Sequence, residues 1–478
     1  MRFNFMLAAL ITMVTSCTCA NAGFIRVGPD PDDDYATISE AIDNAGSFLT
    51  YIYIDPGVYT ENLVIHDKQI SFYAAGDGEV IIDGGFADRT VFITGDSFIE
   101  FRSIIIANGF TTGQGAGVYV GSNCNVYLSD CLVRNNEALT NGGGVSVVGR
   151  LSATRTIFQH NSATIFGGGV HLESISDPGL HDITDCQFID NDAEDGGGLS
   201  IREQSSGPTL QGCTFNNNLA TRRGGAIALL GSPTNTGRLY PVGCLFTENA
   251  AEERGGAIWV SQLDRCIARN CIFSMNQSTG LGGAVSVDTE FTAIACTFVT
   301  NSADDPIGET FHGRNSDAVI QVSGSIVLND SPQTFAGDGA FVVDHSILTG
   351  ADTTHPDDPG VFDADPRFVD PDGLDADPTN DFALRSDSPG IDAGNAQAGE
   401  GNQAIYLLNE DFAGNHRIYN DPDTPDTGLN LWGRAIDMGA HEYHPPDVEV
   451  CEADLNGDGV LNFFDVSVFL SSFSAGCP

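Results

Sequence analysis

The sequence predicts an all-β chain wound as a right-handed parallel β-helix, a three-sided solenoid with an N-terminal capping helix and a small C-terminal helical domain of EF-hand type. The first observation behind this is a recurring phrase between residues 103 and 329: a small residue, an apolar residue two places later, Asn five places later, then glycines opening a Val/Ile-rich run. It reads from Ser103 to Asn108, Cys131 to Asn136, Thr156 through Phe158 to Asn161, Cys186 through Phe188 to Asn191, and Cys213 through Phe215 to Asn218. It continues with Cys244 through Phe246 to Asn249, Cys271 through Phe273 to Asn276, Cys296 through Phe298 to Asn301, and Gly324 to Asn329. The second is the spacing: successive starts lie 28, 25, 30, 27, 31, 27, 25 and 28 residues apart, the length of one three-sided turn with the variation absorbed in loops. The third is alternation after the glycines, as in Val145-x-Val147, Ile227-x-Leu229, Ile258-x-Val260 and Val285-x-Val287.

The elements follow in chain order. Arg2, the apolar run Phe5 to Val14 and Ala20-Asn21-Ala22 form the three parts of a cleaved secretory signal over residues 1–22. A second reading of the same segment takes Val14 to Cys17 as a lipobox that lipidates Cys17. No later segment is long and apolar enough for a transmembrane helix. Tyr35 to Ile42 has the pattern of a short amphipathic helix, and the β-helix is expected to occupy residues 23–350. Within each repeat Cys and Phe, two apart, point to the same side and stack on their equivalents in the core. The six cysteines of that column are then small buried hydrophobes. Asn is expected at the turn, in left-handed geometry and bonded to the next coil's Asn in a ladder. The glycine pairs supply the tight corner before the next strand.

Charge narrows the partners. Asp plus Glu number 65 against 20 Lys plus Arg, a net charge of -45, and Lys68 is the single lysine. Such a surface repels nucleic acid and anionic lipid. Asp195, Arg222 and Glu253 stand nine residues after the small residue of consecutive repeats, with Arg223 and Arg254 beside them. Two readings follow: a salt-bridge ladder on the surface, or a carboxylate and arginine cluster that binds calcium and an acidic sugar and carries catalysis.

The motifs Phe215 to Asn218 with Gly224 to Ile227, Phe246 to Asn249 with Gly255 to Ile258, and Phe273 to Asn276 with Gly282 to Val285 resemble the repeats of polymorphic outer-membrane proteins, which implies an adhesive surface-displayed β-helix. The entry, with the Tyr35 helix, Ile52 to Ile65 and Val80 to Gly85, resembles that of pectin-lyase-like β-helices, where a helix caps the open core. The polygalacturonase signatures Gly-His-Gly and Arg-Ile-Lys are not in the chain.

Residues 351–445 turn to Asp and Pro. Asp363 to Asp370, Ser388 to Gly394 and Gly433 to Tyr443 resemble the choice-of-anchor Q segment that closes secreted β-helices, with acidic loops that either bind calcium or are merely solvated. In residues 446–478, Asp454, Asn456, Asp458, Asn462 and Asp465 fall at EF-hand loop positions 1, 3, 5, 9 and 12, with Gly459 at 6 and the Val460 carbonyl as a further ligand. This resembles one dockerin-type repeat, which implies Ca2+ and a cohesin-like or sorting partner. Cys451 and Cys477 bracket it and are the expected disulfide. The sequence thus points to a secreted or surface-anchored scaffold or adhesin associated with extracellular glycan or cell envelope; the alternative is a calcium-dependent lyase or hydrolase acting on acidic glycans.

Overall fold

The computed structural model describes residues 23–444 except 47, 174–180, 203–207, 232–237, 263, 305–309, 329–332, 350–359, 371–381, 399–409, 418, 420, 422–423 and 430–435. The chain divides into two compact units, residues 1–238 with 248–264 and residues 239–247 with 265–478. Each is a stack of parallel strands, and the signal segment, the calcium loop and Cys451 and Cys477 lie outside the described residues.

In the first unit three ladders of parallel strands run from Gly23–Val27 to Thr209–Gln211, from Gly57–Thr60 to Thr214–Asn216, and from Leu63–His66 to Ile258–Val260. From Phe110 onward a fourth, short ladder lies between the second and third and joins Phe110–Thr111, Glu137–Ala138, Ser162–Ala163, Asp192–Asp195, Leu219–Arg223 and Ala250–Ala251. Strands of two residues show no alternation, which is why three sides were predicted from the sequence. The expected helix forms at Ile38–Asn44, later than its predicted bounds. Thr37 Oγ1 accepts from the Glu40 amide at its start, the Glu61 carboxylate takes the Ile38 and Ser39 amides, and Lys68 Nζ donates to the Ala45 carbonyl at its end.

The core columns form as the repeat demands. Cys131, Cys186, Cys213, Phe158, Phe188 and Phe215 are buried, and the Phe188 and Phe215 rings stack 4.5 Å apart. Asn136, Asn161, Asn191, Asn218 and Asn249 make a buried ladder in which each side-chain amide donates to Oδ1 of the next at 2.9–3.0 Å. The left-handed corner, however, is not at these asparagines. It belongs to the preceding residue: Asn135, His160, Asp190, Asn217 and Glu248 have φ of 55°, 52°, 54°, 51° and 56°. The ladder asparagine is therefore free to turn inward. The opening repeat is one residue out of the expected frame, because Ser103 and Asn108 themselves take positive φ and the Asn136 position falls on Gly109, whose amide donates to Asn136 Oδ1. A one-residue slip along a strand sends each side chain to the opposite face.

The second unit repeats the pattern. Leu245–Thr247, Ile272–Ser274, Thr297–Val299, Ile326–Leu328 and Ile347–Leu348 pair in parallel, with Phe246, Phe273 and Phe298 stacked in the core. Ile326 opposes Thr297, so the equivalent of Cys296 is Ser325, and Gly324, at φ 56°, is a corner residue. The described parts of residues 360–444 lie along the outer flank of these strands. Phe368, Phe382, Leu384, Ile391 and Met438 pack on Leu245, Ile272, Val299 and Ile326, and the Ala440 amide donates to Thr297 Oγ1. Their acidic residues act as internal clips. Asp437 accepts from the Asp392 and Tyr443 amides, Glu442 from the Tyr419 and Asp437 amides, and Asp411 from the Glu442 and Asn415 amides. Burial pushes the Asp437 carboxyl up to about 7 and that of Asp392 up to about 6.

Candidate functional site

The charged column is built where the third and fourth ladders of the first unit meet. Leu219–Arg223 carries one residue more than its partner strand: Ala193 opposes Ala220, yet Asp195 opposes Arg223. This bulge shifts the register of the column to Phe166, Asp195, Arg223 and Arg254. The expected grouping of Asp195, Arg222 and Glu253 at one coil position is thus corrected, and two arginines follow one another in the stack.

Asp195 is 0% exposed, which also removes it from the surface ladder the spacing suggested. Its Oδ1 accepts from Arg223 Nε at 2.9 Å, and its Oδ2 from Arg223 Nη2 at 2.8 Å and Arg222 Nη2 at 3.1 Å. Glu194, which the repeat frame did not single out, holds the other side of Arg222. Burial pushes the Asp195 carboxyl up to about 7, with Arg222 opposing it and Glu194 and Glu253 adding to it. A near-neutral carboxyl can exchange protons with a substrate only if an oxygen is reachable, and here both oxygens are occupied by guanidinium groups. The arrangement is a strut. Arg223 in turn lies over the Trp259 ring, 3.9 Å from its centroid. Arg254 follows Arg223 in the stack and Glu253 is near enough to act on Asp195, so the five residues are neighbours, but among the described residues Arg254 and Glu253 form no ion pair.

What Arg223 does to Trp259 is part of a longer pattern. On the third ladder the outward middle residues form one column: Val64, Phe92, Tyr119, Ser146, His171, Ser200, Ala228 and Trp259. From Ser146 onward the column is covered. Ser146 Oγ donates to Gln114 Oε1, Phe166 stacks on His171, and Arg223 covers Trp259. His171 is fully buried, and burial lowers its pKa. Over Phe92 and Tyr119 lies the Arg89 guanidinium, 5.2 and 5.6 Å from the ring centroids, beside an open groove of about 730 Å³.

Among proteins of known name, the chain is 36% identical over 113 residues to "Probable pectinesterase/pectinesterase inhibitor 17" of Arabidopsis thaliana, covering 21% of this chain and 22% of that protein. It is 34% identical over 117 residues to "Pectinesterase 2" of Citrus sinensis, covering 22% and 23%. The match thus spans under a quarter of these relatives' own length. Among solved structures, pectate lyase Pel9A superposes with a TM-score of 0.49 at 13% identity, over 89% of this chain and 98% of that one. The pectin methylesterase from carrot superposes with a TM-score of 0.28 at 14% identity, over 71% and 92%. The family model described as the right-handed beta helix region matches residues 32–238 and 168–350, and with its parallel ladders and stacked core columns the chain belongs to the right-handed β-helix family.

Proposed function

We propose that this protein is an exported β-helical scaffold that associates with extracellular glycan and is held in place by a calcium-dependent C-terminal module. The observation that carries this reading is the fate of Asp195: the most acid-base-like group of the charged column is sealed from solvent and saturated by Arg222 and Arg223. The repeat's Asn, Cys and Phe columns are likewise committed to stacking. The signal-like residues 1–22 support export, and the Asp454 to Asp465 loop supports Ca2+ binding and anchoring.

The test is incubation of the full chain with neutral and uronic-acid polysaccharides, in calcium and in chelator, while following unsaturated ends, reducing ends and methanol release. Retention on glycan without product is the expected result. Deleting residues 446–478 is expected to release the protein from cells without altering glycan retention. A second reading, a calcium-dependent lyase or hydrolase of acidic glycans, is favoured by Arg254, which has no ion-pair partner among the described residues, and by the pectinesterase names of the partial relatives. Calcium-dependent product that disappears in Arg223→Ala or Arg254→Ala would establish that reading in place of the first.

A further inference from the structure

We propose that the described residues between Ser388 and Tyr443 form a proton-operated latch, docked on the outer flank of the second unit's strands in mild acid and loosened as the pH rises through neutrality. The carboxylates of Asp392, Asp411, Asp421, Asp437 and Glu442 are all buried there, and the buried basic groups among these residues are Arg417 and His441. The acids form a connected cluster. Asp437 Oδ1 accepts from the Asp392 amide at 2.8 Å, and Glu442 Oε2 from the Asp437 amide at 3.2 Å. Asp411 Oδ2 accepts from the Glu442 amide at 2.8 Å, and Asp392 Oδ2 from the Asp421 amide at 3.1 Å. Arg417 Nε lies 3.7 Å from Glu442 Oε2, while Arg417 Nη2 donates to the Asp437 and Gly439 carbonyls. The buried Oδ1 of Asp392 has no hydrogen-bond partner.

Carboxylates packed in this way around a single guanidinium cannot all ionise, because each new charge leaves water and meets its neighbours across a low-dielectric interior. Burial pushes the Asp392 carboxyl up to about 6, with Asp426 and Asp421 adding to it. Burial pushes that of Asp437 up to about 7 against the Asp392 and Tyr443 amides and Arg417, and it holds Glu442 well above the usual carboxylate range, with Asp437 adding to it. A detached segment releases these protons near pH 4, whereas the docked one keeps them to about pH 6 and 7, so docking weakens as the pH rises across that interval. His441 acts in the opposite sense: burial lowers it to about 4, so it withdraws support as the pH falls from about 6.5 to 4, by less than the carboxyls add. Where the strands meet the segment they offer Gly324, Thr297 and Ile326 to Gly439 and Ala440, all uncharged, and Asp344 to Asn395, a further negative charge. Loosening has a physical output: it uncovers Leu245, Ile272, Val299 and Ile326, the apolar strip on which the segment packs.

The experiment is hydrogen exchange of the full chain at about pH 5 and about pH 8, corrected for the intrinsic pH dependence of amide exchange and read by mass spectrometry. The reporting peptides carry the Gly394, Met438 and Gly439 amides, which donate to the Ile436, Gly390 and Gly324 carbonyls, and strands Ile272–Ser274 and Thr297–Val299 are the internal reference. Protection of the reporting amides is expected to fall by about thirtyfold or more from pH 5 to pH 8, roughly three decades from Asp392 and Asp437 less one and a half from His441, while the reference strands stay protected. Asp392→Asn keeps an acceptor for the Asp421 amide and sets its amino group on the orphaned side, so it retains the fold. It is expected to reduce the pH dependence by about tenfold and to be better protected than the parent at pH 8, whereas His441→Gln is expected to steepen the dependence. Protection that does not change with pH, or a pH dependence the same in both variants as in the parent, would overturn the latch. A segment unprotected at both pH values would overturn it too. So would protection at pH 8 that is restored in full by added calcium, since a cation and not a proton would then neutralise the cluster.

Discussion

Asn218→Ala tests the asparagine ladder at its middle. The Asn218 side chain is fully buried and makes four hydrogen bonds. Its Oδ1 accepts from the Asn191 backbone amide at 3.1 Å and from Asn191 Nδ2 at 3.0 Å, and its Nδ2 donates to Asn249 Oδ1 at 2.9 Å and to the Phe188 carbonyl at 2.8 Å. After truncation Asn191 Nδ2 still has the Phe158 carbonyl, and Asn249 Oδ1 still has the Asn218 amide. The Asn191 amide keeps nothing. One orphaned buried donor costs about 1–3 kcal/mol, and the remaining lost bonds bring the expected total to about 3–4 kcal/mol. Urea unfolding followed by far-ultraviolet circular dichroism measures it. Asn217→Gly is the matched control: the neighbouring side chain is exposed, at φ 51°, and bonds only to the Asp190 carboxylate. That variant is expected to stay within about 0.5 kcal/mol of the parent. If Asn218→Ala also changes stability by less than about 1 kcal/mol, the ladder is not what holds the coils in register, and the reasoning fails.

Thr300 is an exposed β-branched residue at φ 50°, so Thr300→Gly is expected to raise stability by about 1 kcal/mol, read as a shift in the urea midpoint; a lower midpoint refutes the strain argument. Burial pushes His181 down to about 4, and its Nδ1 accepts from the Leu151 amide. The unfolded chain binds this proton from about pH 6.5 downward and the folded chain does not until about pH 4, so His181 should remove about 3 kcal/mol of stability across that interval. The stability difference between the parent and His181→Gln should therefore shift in favour of the variant as the pH falls, and a pH-independent difference would contradict this. Burial pushes the Cys131 and Cys186 thiols up to about 12, so these cysteines should react with a thiol reagent at pH 8 only after denaturation; rapid labelling of the folded chain would mean that the column opens.

The repeat determined a great deal by itself. A residue type that recurs once per coil must meet its own copy one strand away, so the stacked Phe188 and Phe215, the buried cysteines and the Asn191 to Asn218 amide bond were all legible from spacing. Position within a coil was less legible. The repeat frame slipped by one residue at Ser103 and Gly324, where the small residue of the phrase was a corner residue and the core position followed it, and composition does not distinguish the two. The charged column was misplaced because the coil of Asp195 is one residue short: Gly196 follows Asn191 by five residues, where Gly167 and Gly224 follow Asn161 and Asn218 by six, so a frame counted from the small residue set Arg222, and not Arg223, beside Asp195. The side chains that lie over Trp259 and over Phe92 and Tyr119 leave no such trace, since each contact joins different coils. Sequence period dictates what stacks on what along the coil axis; which side chains fold over the outer face, and where that cover stops, is decided by packing between corners that share no period.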